Sequence, residues 1–461
     1  MIQTLMRRSL LFISLLLLVG LAACQSPSGG SSVEVESNEQ AAEEQNDGGQ
    51  EQEASEDEQN TLQLLIPNYY NDVERDQWRQ VVDRFSELNS EIEVVLETGD
   101  VRVESGSLTA LLQSEVNTPD VLLMNAGPSR ISVLSQGELI KPLDDIYEAN
   151  QWENAVRPFA YDLIAGGDHI YEVPHMVDAI AHFYNIDVFE EYGLDVPETP
   201  DEYIEVLETL SAESSIDPIT VGARNGYAIG WLFGAMLEAK AGTEKLEEIF
   251  FEDGKWNDPE VVEVATAMTE WLDKGYISQD AVTLQETDSK FKFLNKQAAI
   301  YTGGTYLITD LAEEGLLDSV GFFMAPSFID GEEAKPTGGI GQSWVVPKGA
   351  KNQDAVELWL EFILSSDYAE IVYSFPDYNF ILASTDSMDV EPVGNVLRAA
   401  AIDVADGSGY NPSVFIGVET GEAYFQNLQG LVGGLTTPEE AMNAIEEAAQ
   451  EDKANGFQLK R

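Results

Sequence analysis

The sequence predicts an α/β protein whose folded part is divided into two lobes. Near the start of that part, apolar runs of strand length alternate with stretches of helical periodicity. This alternation favours a mainly parallel sheet that helices cover on both faces. About 400 residues follow an acidic N-terminal region, which is more than one hydrophobic core usually supports. Two lobes are therefore expected.

The first five elements of the folded part alternate regularly between strand and helix. They are a strand at 61–67, a helix at 73–88, a strand at 92–97, a helix at 106–116 and a strand at 121–124. The first helix carries Trp78, Val81 and Phe85 on one stripe, as a helix packed on a sheet requires. The apolar runs at 61–67 and 121–124 have the length and composition expected of buried strands.

Four long amphipathic helices are predicted further along the chain, at 200–211, 259–274, 352–365 and 438–450. The start of the last one is marked by local chemistry as well as by periodicity. Thr437 is a suitable N-cap residue, Pro438 follows at the first helical position, and Glu439 and Glu440 place negative charge in the first turn.

The first 23 residues have the features of a cleavable export signal. Arg7 and Arg8 precede an apolar run at 10–21, which is too short to span a membrane and of the usual signal-peptide length. The sequence Leu-Ala-Ala-Cys then ends at Cys24, the only cysteine in the chain, and resembles a bacterial lipobox. We predict a signal peptide at 1–23 and lipidation of Cys24; the alternative is a plain secretory signal followed by an unrelated buried cysteine.

Residues 24–60 are predicted to be a disordered tether. The stretch from Gln25 to Asn60 contains 11 acidic residues, no basic residue and no aromatic residue. Such a segment cannot bury enough apolar surface to offset the entropy of ordering. Its like charges are expected to extend it away from an anionic surface.

The composition argues against several functional classes. The net charge of −59 opposes nucleic-acid binding, which needs clustered cations. His169, His175 and His182 lack zinc-site spacing, and no calcium-loop motif is present. There is no Walker loop and no nucleophile-elbow motif. We therefore predict no metal, no cofactor and no catalytic residues.

Short motifs occur in a characteristic order along most of residues 61–450. They are the helix–strand stretch with Phe85, Asn89 and 92–94, then Thr118-Pro119-Asp120-Val121, 137–145 (GELIKPLDD), 170–174 (IYEVP), Phe183-Tyr184-Asn185, and Gly303-Gly304-Thr305-Tyr306. Their order and spacing resemble family 1 extracellular solute-binding proteins, the group that includes maltodextrin-binding proteins.

The resemblance implies a type II periplasmic-binding-protein-like fold, in which two α/β lobes enclose a ligand cleft. One lobe would comprise 61–173 plus 345–407, and the other 179–340 plus 413–461. Three crossing segments would lie near 174–178, 338–343 and 409–412. The second crossing contains Gly338, Gly339 and Gly341, and glycine permits large backbone changes at a hinge.

The resemblance also implies a site, because sugars are bound by aromatic rings on their C–H faces and by polar groups on their hydroxyls. Asp178 occupies the place of a hinge carboxylate, and Trp231 and Tyr306 occupy aromatic contact positions. Tyr424, with Phe425 beside it, resembles a third stacking position. First-lobe and crossing residues complete the predicted set: Tyr69, Tyr70, Met124, Asn125, Gln342 and Trp344. The alternative for each aromatic residue is packing in the hydrophobic core.

The function expected from this resemblance is capture of a mono- to short oligosaccharide or polyol, without catalysis. The partners would be an ABC permease and its ATPase, and the protein would be a monomer on the outer face of the cell membrane, or its periplasmic side in a Gram-negative host. Three alternatives remain: ferric iron bound by Tyr69 and Tyr70, a polyamine bound by acids, or a secreted glycoside-acting enzyme.

Overall fold

The structure is a computed structural model. It describes residues 60–459 except 104–105, 115–116, 213–214, 334, 376–377, 379, 393–395, 397–399 and 401–406. The predicted signal peptide, Cys24 and all but the last residue of the predicted tether lie outside the described residues. Among the helices that are described, none combines the length and the apolar character needed to cross a membrane.

Ten strands are described. They are β1 Thr61–Pro67, β2 Glu93–Gly99, β3 Val121–Asn125, β4 Glu172–Asn185, β5 Asp217–Thr220, β6 Ala298–Gly304, β7 Val320–Phe323, β8 Thr337–Val345, β9 Ile381–Leu382 and β10 Gly409–Tyr410.

The helices of the described part connect or follow these strands, in places two or three in succession. They are α1 Asp72–Leu88, α2 Ser107–Leu112, α3 Pro128–Gln136, α4 Asp144–Asn150, α5 Pro158–Ala165, α6 Ile186–Tyr192, α7 Pro200–Ser211, α8 Tyr227–Phe251, α9 Pro259–Asp273, α10 Glu286–Leu294, α11 Leu307–Glu313, α12 Gln353–Leu364, α13 Ser366–Tyr373, α14 Pro412–Phe415, α15 Val418–Val432 and α16 Pro438–Ala454.

The strands pair into one sheet with the order β2-β1-β3-β8-β4-β6-β5, and β7, β9 and β10 join it at β4 and β8. Pairing is parallel between β1, β2 and β3 and between β5 and β6. It is antiparallel where β8 and β4 join these two parts. The sheet is thus mixed, with the predicted parallel pairing at its two ends.

Two long strands run through both parts of the sheet. β4 pairs with β8 from Glu172 opposite Val345 to Ile180 opposite Thr337, with irregular register around Met176. One end of β8 pairs with β3, and the other end of β4 pairs with β6. The predicted crossings at 174–178 and 338–343 therefore fall inside these two paired strands, and the glycines expected in a hinge are part of β8.

Buried apolar side chains cover both faces of this sheet. The largest cluster includes Phe85 of α1, Trp344 of β8 and Trp359 of α12, and continues along β4 to Phe183. A smaller cluster lies around Leu122 and packs with α3. The remaining cluster joins α7, α8, α9, α15 and α16. The exact lobe boundaries given above stay predictions.

The local sequence explains the helix starts. In α1, the Asn71 side chain accepts from the Glu74 backbone N–H while the Glu74 carboxylate accepts from Asn71 N–H, which is a reciprocal capping box. α16 begins with the predicted Thr437 cap and Pro438. The predicted helix at 106–116 is shorter, because Gly106 has a left-handed φ of 69° and α2 ends at Leu112.

Candidate ligand-binding site

A cavity of about 840 Å³ lies beyond the carboxyl ends of β1, β3 and β6 and faces the helices α8 and α15. Open α/β sheets commonly bind ligands at this edge, and the volume is within the range of small-molecule sites. Seven of the ten predicted ligand-binding residues line it: Tyr69, Tyr70, Asn125, Asp178, Trp231, Tyr306 and Gln342.

Four of these residues form a hydrogen-bonded group on the first wall of the cavity. The Tyr70 hydroxyl donates to Gln342 Oε1 at 2.6 Å, and Gln342 Nε2 donates to the Tyr69 hydroxyl oxygen at 3.0 Å. The Tyr69 hydroxyl in turn donates to Asn125 Oδ1 at 2.9 Å. Since each side chain holds its neighbour, this wall presents polar atoms in fixed positions.

Burial changes the acidity of the two phenols in this group. It raises the pKa of Tyr69 to about 12, although the hydrogen bond from Gln342 and the charge of Arg130 act in the opposite direction. The pKa of Tyr70 is raised well above its ordinary value for the same main reason. Both side chains are therefore neutral hydroxyl groups near neutral pH, which suits recognition of hydroxyls.

Asp178 extends from β4 into the cavity beside β8. Burial raises the pKa of its carboxyl to about 6, and the positive charge of Arg130 on α3 partly opposes this. A Cβ added to Gly341 would lie 2.7 Å from the Asp178 carboxyl carbon, so the glycine provides the space that the carboxyl occupies. Within the described residues, no side chain or backbone group is hydrogen-bonded to this carboxyl, which leaves it available to a ligand.

Aromatic rings form the second wall. Trp231 of α8 and Tyr306, which follows β6, have ring centroids 5.6 Å apart with planes inclined by 52°. A Cβ on Gly304 would come within 2.6 Å of the Tyr306 ring, so this ring lies directly against the backbone of β6. The wall can cover an apolar ligand face opposite the polar group described above.

Three predicted site residues do not line this cavity, because their side chains pack in the interior. Met124, Trp344 and Tyr424 are each 0% exposed. Met124 and Asn125 are consecutive in β3 and so point to opposite faces. Trp344 shares a face with Gln342 but lies deeper, with its ring 5.3 Å from Trp359.

Tyr424 does not line the cavity because of its position around the helix α15. Its hydroxyl donates to the backbone carbonyl of Gly230 at 2.8 Å, so the side chain fixes α15 against α8. The adjacent residue Phe425 lines the cavity instead. Successive residues on a helix point about 100° apart, and the sequence motif did not distinguish which of the two faces the ligand cleft.

Several lining residues were missed by the sequence analysis. They are Glu74, Arg130, Tyr227, Phe380, Asn411 and Glu422. Tyr227 precedes Trp231 by four residues, which is the spacing of one helix face, so this signal was present in the sequence. Arg130 lies in a helix that the motifs did not include, and nothing local distinguishes Arg130 or Glu422 from other surface charges.

The arrangement combines neutral hydroxyls, amides, a wall of rings and charged side chains, among which the Asp178 carboxyl accepts no hydrogen bond from the described residues. These groups can bind an uncharged polyhydroxylated molecule by its edges and by its apolar faces. Among the described residues, no group of three or more His, Cys, Asp or Glu side chains is arranged to hold a metal ion.

Comparison with known proteins agrees with this geometry. Residues 71–370 match the model of the bacterial extracellular solute-binding protein family. A segment of 161 residues is 24% identical to the multiple sugar-binding protein of Streptococcus mutans, but it spans 34% of this chain and only 38% of that relative.

Solved structures match over almost their whole length. A chitin oligosaccharide binding protein has a TM-score of 0.71 at 21% identity, with 86% of this chain and 99% of that chain covered. A sugar transporter from Bacillus licheniformis has a TM-score of 0.61 at 18% identity, with 85% and 99% covered. These structures share the two-lobed type II fold. The chain therefore belongs to the bacterial extracellular solute-binding protein family.

Proposed function

We propose that this protein is the ligand-capturing receptor of an ABC importer and that its ligand is a short carbohydrate. The observation that carries the proposal is the cavity, with hydrogen-bonding groups on one wall and the Trp231–Tyr306 pair on the other. Carbohydrates need both kinds of contact at once, because each ring has polar edges and apolar faces. The protein binds and releases its ligand without changing it.

The relatives are consistent with this ligand class. Similar structures include the chitin oligosaccharide binding protein and the Bacillus licheniformis transporter solved with stachyose. They also include the bacterial solute receptor AcbH, described as having an exclusive preference for β-D-galactopyranose. The named ligands range from a monosaccharide to a tetrasaccharide, so they support the class and leave the individual sugar to experiment.

The alternative ligands fit the cavity less well. Tyrosine binds ferric iron as phenolate, whereas burial raises the pKa of both Tyr69 and Tyr70 and thus disfavours that form. A polyamine would need several carboxylates free of competing cations, but Arg130 lies close enough to lower the pKa of Asp178. A glycoside-acting enzyme would show turnover of oligosaccharides, which is a direct test.

Attachment to the membrane is part of the proposal. Cys24 would carry the lipid, and residues 25–60 would separate the binding lobes from the bilayer. Acyl chains add about 0.8 kcal/mol per buried CH₂, so two or more hold a protein stably on a membrane. The closed, ligand-bound form would then engage a membrane permease that a cytoplasmic ATPase energises.

The test is thermal unfolding of the purified protein with a panel of mono- to tetrasaccharides and with spermidine and ferric citrate. A true ligand at 100 times its Kd is expected to stabilise the protein by about 2.7 kcal/mol, and scattering should show a smaller radius of gyration on closure. Trp231→Ala should abolish the shift, whereas Phe291→Ala, at a ring 63% exposed on α10, serves as a control outside the cavity. A shift with spermidine or iron alone, or release of shortened sugars, would reject the proposal.

A further inference from the structure

A second pair of aromatic rings lies at the rim of the cavity, further out than Trp231 and Tyr306. Tyr227, the first residue of α8, is 55% exposed, and its ring centroid lies 5.2 Å from that of Phe425 on α15. Both residues line the same cavity as the inner pair. Tyr227 and Trp231 are four residues apart and so share one face of α8. The rings therefore form two separate pairs, one at the rim and one further in, whose α8 members share a helix face.

Gly226, which caps the start of α8, and Gly230 within that helix fix the position of the outer pair. A Cβ on Gly226 would lie 2.7 Å from the Phe425 Cβ, and a Cβ on Gly230 would lie 2.8 Å from the Phe425 ring. Gly226 also has a φ of 83°, which disfavours other residues. The close approach of Phe425 to α8 is thus specified by the backbone, and the ring is held at the rim by packing.

The adjoining surface of α15 is open beside these rings. Val418, Gly421, Glu422 and Phe425 recur at helical spacing on one face and all line the cavity. A Cβ added to Gly421 would have only one neighbouring atom within reach, Ile416 Cδ1 at 4.0 Å. Glu422 is exposed next to this gap. A flat recess bordered by two rings and a carboxylate is therefore present at the rim.

We propose that Tyr227, Phe425, Gly421 and Glu422 form an outer carbohydrate subsite, and that the ligand therefore contains at least two sugar rings. This inference rests on the proposed function, in which Trp231, Tyr306 and Asp178 contact an inner ring. The two aromatic pairs are offset by one turn of α8, about 5.4 Å, which is close to the advance per ring in a linear glycan. Successive rings of one ligand can thus contact successive pairs.

The open rim determines which end of the ligand lies inside the cavity and which end lies toward solvent. The inner end meets Asp178 and the polar wall, whose groups have defined partners and positions. The outer end lies against Tyr227, more than half of which is exposed, so a chain can continue past it into solvent. The subsite consequently favours oligosaccharides over free monosaccharides, and it sets a minimum length of two rings.

The experiment is calorimetric titration of the soluble chain with three homologous series. These are D-galactose, raffinose and stachyose; N-acetylglucosamine with its dimer and trimer; and xylose with xylobiose and xylotriose. In the series that binds, the oligosaccharide is expected to bind at least about tenfold more tightly than the monosaccharide, as loss of one aromatic contact would imply.

Two variants test the outer subsite specifically. Tyr227→Ala removes one ring, and Gly421→Leu fills the recess with a residue that α15 accommodates better than glycine. Each should weaken oligosaccharide binding about tenfold or more and leave any monosaccharide binding within about twofold. Phe291→Ala removes a ring outside the cavity that is slightly more exposed than Tyr227 and should change neither.

The outcomes separate this inference from the function on which it rests. If a monosaccharide binds as tightly as its oligomers, or if Tyr227→Ala and Gly421→Leu leave oligosaccharide affinity unchanged, the outer subsite is refuted while carbohydrate capture stands. If no sugar of the three series or of the wider panel binds, the proposed function fails and the subsite fails with it.

Discussion

Under the proposed function, Asp178 makes ligand binding depend on pH. Burial raises the pKa of its carboxyl to about 6, so the group is ionised at neutral pH and becomes protonated in mild acid. The ionised form accepts hydrogen bonds from ligand hydroxyls, and bonds to a charged partner are worth about 1.5–3 kcal/mol. We expect affinity to fall as pH is lowered from 7 to 5, and Asp178→Asn to lower affinity about 10- to 100-fold at pH 7.

The same variant distinguishes this carboxyl from other titrating groups. Titrations between pH 5 and 8 should show that Asp178→Asn removes most of the pH dependence. The ligand-free protein should behave in the opposite sense. Because the native pKa lies above the ordinary value of 3.8, stability contributed by Asp178 declines as pH rises from about 4 to about 6. A wild-type affinity that does not change with pH would contradict this role.

The predicted site residues show what a sequence can and cannot specify at this scale. The motif positions of Asp178, Trp231, Tyr306 and Gln342 led to residues that do line the cavity. Met124 does not line the cavity, because side chains of β3 alternate between the two faces of the sheet. Neighbouring positions of the strand therefore lie in the core and in the cavity. Such choices depend on strand register, which becomes visible only when β3 is paired with β8.

Among the elements, α8 is distinctive because it spans 25 residues and contains a kink. Gly242, inside the helix, has φ 83° and ψ 163°. A Cβ there would also lie 2.7 Å from Ile329 Cδ1. Replacing a helical glycine by alanine normally stabilises a protein by about 0.5–1 kcal/mol, but strain at positive φ costs about 1–3 kcal/mol. We therefore expect Gly242→Ala to destabilise the protein.

Gly421 provides the matched control for this prediction. It lies within α15, and a Cβ added to it would meet a single atom, at 4.0 Å. Gly421→Ala should accordingly raise the free energy of unfolding by about 0.5–1 kcal/mol, while Gly242→Ala lowers it. Both changes can be measured by urea denaturation of the two variants side by side. Equal effects of the same sign would show that the kink carries no backbone strain.

The elements also differ in how accurately the local sequence predicted them. Strand 61–67 and helix 200–211 have the predicted bounds, since apolar periodicity and the Thr199 capping box act locally. The long strands β4 and β8 were recognised only as crossing segments. Their pairing depends on residues more than 150 positions apart, such as Ile180 with Thr337, and local patterns carry no information on such contacts.

At the scale of the whole molecule, charge is the dominant feature. The chain carries 83 acidic and 24 basic residues, and self-repulsion of this size destabilises a folded protein. Raising sodium chloride from about 0.05 to 1 M shortens the screening length from well over 10 Å to about 3 Å. We expect the unfolding temperature to rise by several degrees over this range. A constant or falling value would mean that the acids are too widely spaced to repel one another.

The alternation of strand and helix was sufficient to predict the α/β class, because that pattern reflects how sheets are covered. The mixed character of the sheet was not predicted. It arises because β8 and β4 enter antiparallel to their neighbours and join the two parallel parts. The order of strands is a property of the complete chain, and only three-dimensional pairing reveals it.

The position of Asp178 and Gln342 has a mechanical consequence. Both belong to the strands that run through both parts of the sheet, and those strands pair with each other on either side of an irregularity at Met176. Under the proposed function, a molecule bound to these two side chains would act directly on the two strands that join the lobes. Ligand occupancy and the arrangement of the lobes would thus be coupled through the strands themselves, without intervening residues.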